Sequence, residues 1–398
     1  MVGAQLTRWC AGSPPGAVRA TQRRTVTATV TPPVAVPLAL ERRYPQVVAR
    51  FPRVGLTRLP TRVHALSQLA RQVGVAHLWI KRDDESGALY GGNKPRKLEF
   101  LLGEARDEGK TAVLTFGGIG THHGLATAVC ARAAGLRTIL VLLAQPVTEH
   151  VRHNLLLDHA AGAELHFAPG VARVTARALR LCVREWLRGG LPSIIPAGGT
   201  SPLGALGYVN AAFELAEQIA AGALPEPDDI FVPLGTGGTV AGLVLGAKLA
   251  GLRTRIHAVL VTDILPPSAA KVAGLANRSL GLLRACGAEM PALTVGAGDV
   301  SIVTGYVGAS YGAPTEAARQ ARTLMEQLEG VHLETTYTAK CLAAMLAAVR
   351  TGDRRDRTVL FWNTYSSVDP GVHLGPLPDY RALPRPFHRL FTGPVVAD

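Results

Sequence analysis

From about residue 46 onward, short apolar runs alternate with longer segments of helical spacing, and few folds satisfy that order. An apolar run of four to eight residues between turn signals reads as a buried strand, and the helix-length segment between two such runs reads as a crossover. The predicted strands are His77 to Lys81, Ala112 to Phe116, Thr138 to Leu143, Glu164 to Phe167, Ser193 to Pro196, Ile230 to Pro233, Arg255 to Leu260 and Thr358 to Trp362. The predicted helices cover 96–108, 122–134, 148–161, 171–188, 205–220, 238–250, 313–328 and 339–350. A doubly wound α/β architecture follows, with ligands expected at the carboxyl ends of its strands. No repeat of solenoid period is visible.

Three turns between these elements carry residues suited to chemistry. In Gly91-Gly92-Asn93-Lys94-Pro95-Arg96-Lys97-Leu98-Glu99-Phe100, a glycine pair allows close backbone approach to a ligand and Pro95 suits a first helical turn. Leu98, Leu101, Leu102 and Ala105 then recur at helical spacing, so Lys94 is expected just ahead of a packed helix as a candidate Schiff-base former. By frequency alone it would be a solvated surface lysine, and only its neighbours change that reading. The second turn, Gly117-Gly118-Ile119-Gly120-Thr121-His122-His123-Gly124, follows a strand and opens an Ala-rich helix, whose free N–H groups suit a substrate carboxylate. Adjacent histidines face different ways there, so no shared metal is expected; His pairs bind best at i, i+4. The third, Pro233-Leu234-Gly235-Thr236-Gly237-Gly238-Thr239-Val240-Ala241-Gly242, is a candidate phosphate cup with two hydroxyl donors, although helix packing alone would also explain its glycines.

The run LWIKRDDESGALYGGNKPRKLEFLLGEA, with these later turns in the same order, resembles the D-cysteine desulfhydrase and 1-aminocyclopropane-1-carboxylate deaminase family over roughly residues 46 to 385. The resemblance implies a pyridoxal-phosphate (PLP) enzyme of the tryptophan synthase β-like fold, fold type II. Two doubly wound parallel-sheet domains would hold the cofactor between them. Residues 46–98 and 205–398 would form the large domain and 99–204 the small one. Lys94, not Lys97, would carry the cofactor beside Asn93, and Gly235, Thr236, Gly237, Gly238 and Thr239 would hold its phosphate. The loop Ile194-Ile195-Pro196-Ala197-Gly198-Gly199-Thr200-Ser201 is similar to the family's IPxGG segment near the cofactor.

The same resemblance places the remaining site residues. The family's GGIQSNH or GGIQSNQ loop has a catalytic serine, matched here by Thr121, with His122 and His123 in the next two positions. Gly120, Thr121, His122, His123 and Gly124 would bind the substrate, and one histidine is expected over the cofactor ring. Tyr311, in a turn similar to YGxP, and Tyr337, in a segment similar to VYxGK, would face the active site and help move protons, with Thr338 beside the substrate. Thr364 would face the pyridine nitrogen, while Asn363, Tyr365 and Ser366 depart from the family's pattern. Thr338 and Thr364 are of the desulfhydrase type rather than the deaminase type. The implied activity is a lyase reaction, α,β-elimination from D-cysteine giving pyruvate, ammonia and hydrogen sulfide. The alternatives are 1-aminocyclopropane-1-carboxylate deamination, or PLP binding with little turnover, motivated by Thr121 and the altered 363–366 segment. A homodimer is expected on the same ground.

With 398 residues, 47% hydrophobic and 18% charged, the chain can bury a sizeable core. The formal net charge of +13 raises nucleic-acid or membrane binding, but the arginines are scattered without a long basic run, so neither partner is expected. Cys10, Cys130, Cys182, Cys286 and Cys341 form no CxxC pair, which suggests neither a disulfide framework nor a zinc site and fits a cytoplasmic protein. Residues 1–45 hold several arginines and only one acidic residue, Glu41, and read as a disordered tail; a transit-like extension to an organelle is the alternative.

Overall fold

The computed structural model describes residues 37–351 and 356–396, and within them the strands form two sheets. The larger has the order β1-β2-β10-β7-β8-β9, built from β1 (Val63–Ala65), β2 (His77–Lys81), β7 (Asp229–Leu234), β8 (Arg255–Leu260), β9 (Ser301–Val303) and β10 (Thr358–Trp362). The smaller has the order β5-β4-β3-β6, from β3 (Ala112–Gly118), β4 (Arg137–Leu143), β5 (Glu164–Phe167) and β6 (Ser193–Ile194). All eight expected strands are present, although the expected Ser193 to Pro196 is ladder-paired only at Ser193–Ile194; β7 and β10, apolar runs covered on both faces, are buried along their whole length. The large sheet departs from pure parallel pairing at one edge, where β1 runs antiparallel to β2.

Helices cover both sheets. Val171–Leu187 buries Val174, Ala178, Leu181 and Cys182, spaced three and four apart, against Ala112, Leu114, Ile139 and Val141 of the small sheet. Each large aliphatic side chain so buried contributes about 1.5 to 3 kcal/mol. Pro202–Ala220 and Gly238–Leu249 pack together over the large sheet. Ala269–Ala285, capped by Ser268, was not expected from the sequence pattern, although Val272, Leu275, Ala276, Leu280 and Leu283 give it a buried face.

The expected amino-terminal tail is partly structure. Residues 1–36 lie outside the described residues, but Ala39–Arg43 is helical, Leu38, Leu40 and Tyr44 are buried, and the Leu40 amide donates to Asn210 Oδ1 at 3.0 Å. The apolar spacing of Leu40, Tyr44 and Val47 accounts for the packing, which the Pro- and Thr-rich stretch before it hides.

Beneath the turn that carries Lys94 lies a buried ionic network. Arg96 Nη2 lies 2.7 Å from Asp83 Oδ1 and its Nη1 2.9 Å from Glu214 Oε2, while Lys81 Nζ reaches Glu214 Oε1 at 2.6 Å. Tyr208 Oη and Trp362 Nε1 both donate to Asp83 Oδ2, at 2.7 and 2.8 Å. Burial alone would raise the Glu214 carboxyl, yet Arg96 and Lys81 hold it well below the ordinary carboxylate range. The network ties β2, β10 and the helix Pro202–Ala220 to the helix Asn93–Asp107, and so fixes the backbone two residues from Lys94.

Candidate active site

The helix begins earlier than its apolar spacing suggests. It runs Asn93–Asp107, so Lys94 lies in the first turn and not ahead of it. Gly92 precedes it at φ 80°, in the left-handed region, and a Cβ there would sit 2.4 Å from the Tyr365 carbonyl oxygen, so glycine is required. Lys94 is half-buried in the wall of a cavity of about 200 Å³, where its Nζ donates to Asn93 Oδ1 at 2.6 Å and Asn93 Nδ2 donates to Thr239 Oγ1 at 3.0 Å. Burial lowers the Lys94 ammonium to about 8, against partial support from Glu334. About a tenth of that amine is therefore uncharged and nucleophilic at pH 7, far more than for an ordinary lysine.

Lys97, one turn on, lines the same cavity with its Nζ 3.1 Å from the Gly198 carbonyl. Burial first, and then Lys94, pushes its ammonium well below the usual lysine value. It faces the turn at Gly235 to Thr239, which β7 delivers to the amino end of the helix Gly238–Leu249; Gly237 makes that turn at φ 95°. A Cβ on Gly238 would meet Thr200 Oγ1 at 3.0 Å and Lys97 Nζ at 3.1 Å, so hydroxyl and amine donors surround a space left by the missing side chain. Thr236 and Thr200 share a hydrogen bond of 2.5 Å, which leaves one of their two protons free to donate.

On the other side, Thr121 caps the helix His122–Ala133, its Oγ1 accepting from the Gly124 amide at 3.2 Å. Its methyl finds room because Gly124 has no Cβ: one would lie 2.4 Å from Thr121 Cγ2. The expected carboxylate nest of amides from Gly120 to Gly124 shrinks accordingly. Gly120 N–H goes to Gln145 Oε1, Thr121 N–H to the Gly118 carbonyl and Gly124 N–H to Thr121, so the His122 and His123 amides in the first turn remain as donors for a ligand. Gly120 and Gly124 do not line the cavity.

The two histidines sit in different hydrogen-bonding surroundings. Thr115 Oγ1 spends its proton on the Ile195 carbonyl at 2.8 Å, so His123 Nε2, 3.0 Å away, must donate to it and His123 Nδ1 is a bare acceptor. That Nδ1 is buried without a hydrogen-bond partner among the described residues. Asn154 Nδ2 donates to the Gly120 carbonyl at 3.0 Å and lies 3.2 Å from His150 Nε2. His122 Nε2 lies 3.1 Å from His150 Nε2, and His122 Nδ1 lies 3.1 Å from Tyr90 Oη, so both ring nitrogens of His122 are engaged. Burial, with His150 and Lys94 nearby, pushes His122 well below the ordinary imidazole value, so it is neutral.

Tyr311 and Tyr337 meet through their hydroxyls in the cavity wall, and burial raises both phenols, Tyr337 further than Tyr311. Thr338 does not line the cavity. It is fully buried, with its amide and hydroxyl on Glu334 Oε1 at 2.7 and 3.0 Å, because Glu334 takes the free amides of Thr336, Tyr337 and Thr338 at the start of the helix Thr338–Arg350. Glu334 is the residue there that reaches the cavity; its only sequence signal is an acid shortly before a helix start. Thr364 lines the cavity, its Oγ1 without a partner among the described residues. The altered segment after it is braced: Gly91 N–H donates to Ser366 Oγ at 2.8 Å and Tyr365 N–H to Asn363 Oδ1 at 3.3 Å. Tyr90, Lys97, Gln145, Glu334 and Tyr365 are cavity residues for which the sequence assigns no site role.

Residues 54–364 match the family described as Pyridoxal-phosphate dependent enzyme. The chain belongs to this family. It is 38% identical over 333 residues to nocardicin C-9' epimerase from Nocardia uniformis subsp. tsuyamanensis, spanning 82% of this chain and 97% of that protein. It is 33% identical over 307 residues to D-cysteine desulfhydrase from Salmonella choleraesuis, spanning 76% and 90%. A crystal structure of a 1-aminocyclopropane-1-carboxylate deaminase homologue superimposes with a TM-score of 0.69 at 31% identity, covering 82% of this chain and 97% of that one. The fold is that of the type II PLP enzymes, and pyridoxal phosphate is the cofactor.

The cavity of this PLP enzyme fits the group. A lysine with a lowered ammonium, a donor-lined cup at a helix start, the bare His123 Nδ1 and the unpartnered Thr364 hydroxyl offer an amine, an anion site, an acceptor and a neutral partner for a ring nitrogen. Among the described residues no group of three His, Cys, Asp or Glu side chains could hold a metal, and no helix is long and apolar enough to cross a membrane.

Proposed function

We propose that this protein is a PLP-dependent lyase of D-cysteine desulfhydrase type, eliminating hydrogen sulfide from a small amino acid to leave pyruvate and ammonia. The observation that carries the reading is Lys94, an amine lowered to about 8, sharing one cavity with the hydrogen-bonded Tyr311 and Tyr337 hydroxyls. When bound, pyridoxal phosphate supplies an aldehyde carbon for the amine and a conjugated ring that takes up the electron pair released at the α-carbon.

Lys94 would hold the cofactor through its amine and, with that amine free, would take the proton from the substrate's α-carbon. Asn93 and Thr239 hold that lysine beside the cup, where the helix amides, Thr200, Thr236 and Lys97 would bind the phosphate; a phosphate there would favour the charged form of Lys97. The His122 and His123 amides and Thr121 Oγ1–H receive the substrate carboxylate. Tyr311 and Tyr337, both protonated near neutrality, give a proton to the departing sulfur and so neutralise the thiolate as the carbon–sulfur bond breaks. Thr364 Oγ1 would serve as a neutral partner for the ring nitrogen. Assembly as a homodimer and a cytoplasmic location complete the proposal, both from family resemblance and composition.

A second reading is inversion at the α-carbon, favoured by 38% identity to an epimerase across 97% of that protein. The two reactions share proton removal and differ in whether the proton returns or the β-substituent leaves. Holoenzyme would be incubated in deuterated water with D-cysteine, β-chloro-D-alanine, 1-aminocyclopropane-1-carboxylate and D-alanine, following pyruvate, 2-oxobutyrate, α-deuteration and optical hand. Pyruvate from the first two supports the lyase. Preferential 2-oxobutyrate from the cyclopropane substrate would make it a deaminase. Deuterated, inverted alanine without any pyruvate would make it an epimerase, and bound cofactor with no turnover would leave a PLP-binding protein.

A further inference from the structure

A second cavity of about 130 Å³ adjoins the first and shares His122, Gln145, Tyr311, Glu334, Tyr337 and Tyr365 with it. A site built only for cysteine needs no such room, since the carboxylate, amine and β-carbon are already served from the first cavity. The walls of the second are polar. Thr148, His150, Thr335 and Thr336 line it, together with Arg322 from the helix Glu316–Glu329.

The other charged or titratable side chains in this wall already have partners. Glu334 is spent on the amides of Thr336, Tyr337 and Thr338, and His332 lies 3.5 Å from Glu326. His122 is neutral and hydrogen-bonded to His150. Arg322 is half-buried and has neither an ion-pair partner nor a hydrogen bond among the described residues. A half-buried guanidinium with no carboxylate in its own fold is poised to take one from a ligand, which it can grip with two parallel N–H donors.

We propose that the second cavity is the side-chain subsite of this enzyme and that Arg322 selects amino acids carrying a second carboxylate at the far end of the side chain. The inference rests on the reading of the first cavity as an amino-acid site and names its substrate class. D-Cysteine would then be turned over as a small member of a wider range, leaving the subsite empty.

The test compares 2-aminoadipate with norleucine, which differ in a terminal carboxylate against a methyl, on holoenzyme by titration calorimetry, each pair compared within one optical hand. Aminoadipate should bind about ten- to a hundredfold tighter, the range of a hydrogen bond to a charged group. In Arg322→Met, which keeps the stem and removes the charge, that ratio should collapse toward one, and Arg322→Lys should restore part of it. Because Arg322 supports nothing else in the described fold, the thermal midpoints of the variants should match the parent. No preference in the parent, or a preference that survives Arg322→Met, overturns the subsite while cysteine binding keeps the first-cavity reading intact. Failure of cysteine, aminoadipate and norleucine alike to bind would overturn that reading, and the subsite with it.

Discussion

Asn93 and Lys94, neighbours in the chain, hold each other: the Asn93 side-chain oxygen accepts from Lys94 Nζ at 2.6 Å while its nitrogen donates to Thr239 Oγ1 at 3.0 Å. The asparagine thus joins the Lys94 amine to the threonine of the Gly235 to Thr239 turn, 145 residues further along the chain. Below them Arg96 anchors the same helix turn on Asp83 and Glu214.

That anchor gives a prediction on stability. Arg96→Met would leave Asp83 and Glu214 buried with one cation, Lys81, between them, and breaking a buried ionic network from one side costs about 3 to 5 kcal/mol. Urea unfolding of the cofactor-free protein should show a loss of this size. A loss under about 1 kcal/mol would mean the network relaxes without its arginine.

Much of this was legible in the sequence, and the gaps have physical causes. Strands such as β3, β4, β7 and β10 could be read because they are mostly apolar runs of five to seven residues, whereas β1 and β9, three residues apiece and not flanked by an apolar run, carry no period. The helix Ala269–Ala285 has the right stripe, but Gly274 and Gly281 interrupt its propensity. The Lys94 turn stood out by its glycines, yet Lys97 and Glu334 did not, since their positions depend on contacts with Gly198 and with the start of another helix. Thr338 matched a motif by position but turns away from the cavity onto Glu334. A motif fixes order along the chain; burial decides which side chain reaches the ligand.

Thr121 has two duties that separate on mutation. Thr121→Ser keeps the hydroxyl that caps the helix and, in the proposed reaction, faces the substrate, so turnover should be retained. Thr121→Val removes it and should cost about 0.5 to 2 kcal/mol of stability from the lost cap. It should also cost about ten- to a hundredfold in kcat/KM, as expected for a lost hydrogen bond to a charged group. Both variants would first be checked for normal cofactor content. A Thr121→Val enzyme with parental kcat/KM would move the role to Tyr311, Tyr337 or His122.

The lowered Lys94 ammonium predicts how cofactor uptake depends on pH. Only the neutral amine attacks an aldehyde, and with its value lowered from 10.5 to about 8 the neutral fraction grows as pH rises toward 8 and saturates above it. Stopped-flow uptake by cofactor-free protein should therefore accelerate about tenfold per unit below pH 7 and level off above about 8.5. Acceleration that continues to pH 10 would show an ordinary, solvated lysine.

The most direct test of the account is where the cofactor is attached. Holoenzyme would be reduced with borohydride, digested, and the modified peptide sequenced, in parallel with Lys94→Ala and Lys97→Ala. The expected result is a single pyridoxyl group on Lys94 in the parent, none in Lys94→Ala, and attachment at Lys94 with weakened cofactor affinity in Lys97→Ala. A pyridoxyl group found on Lys97 or any other lysine of the parent protein would contradict the account.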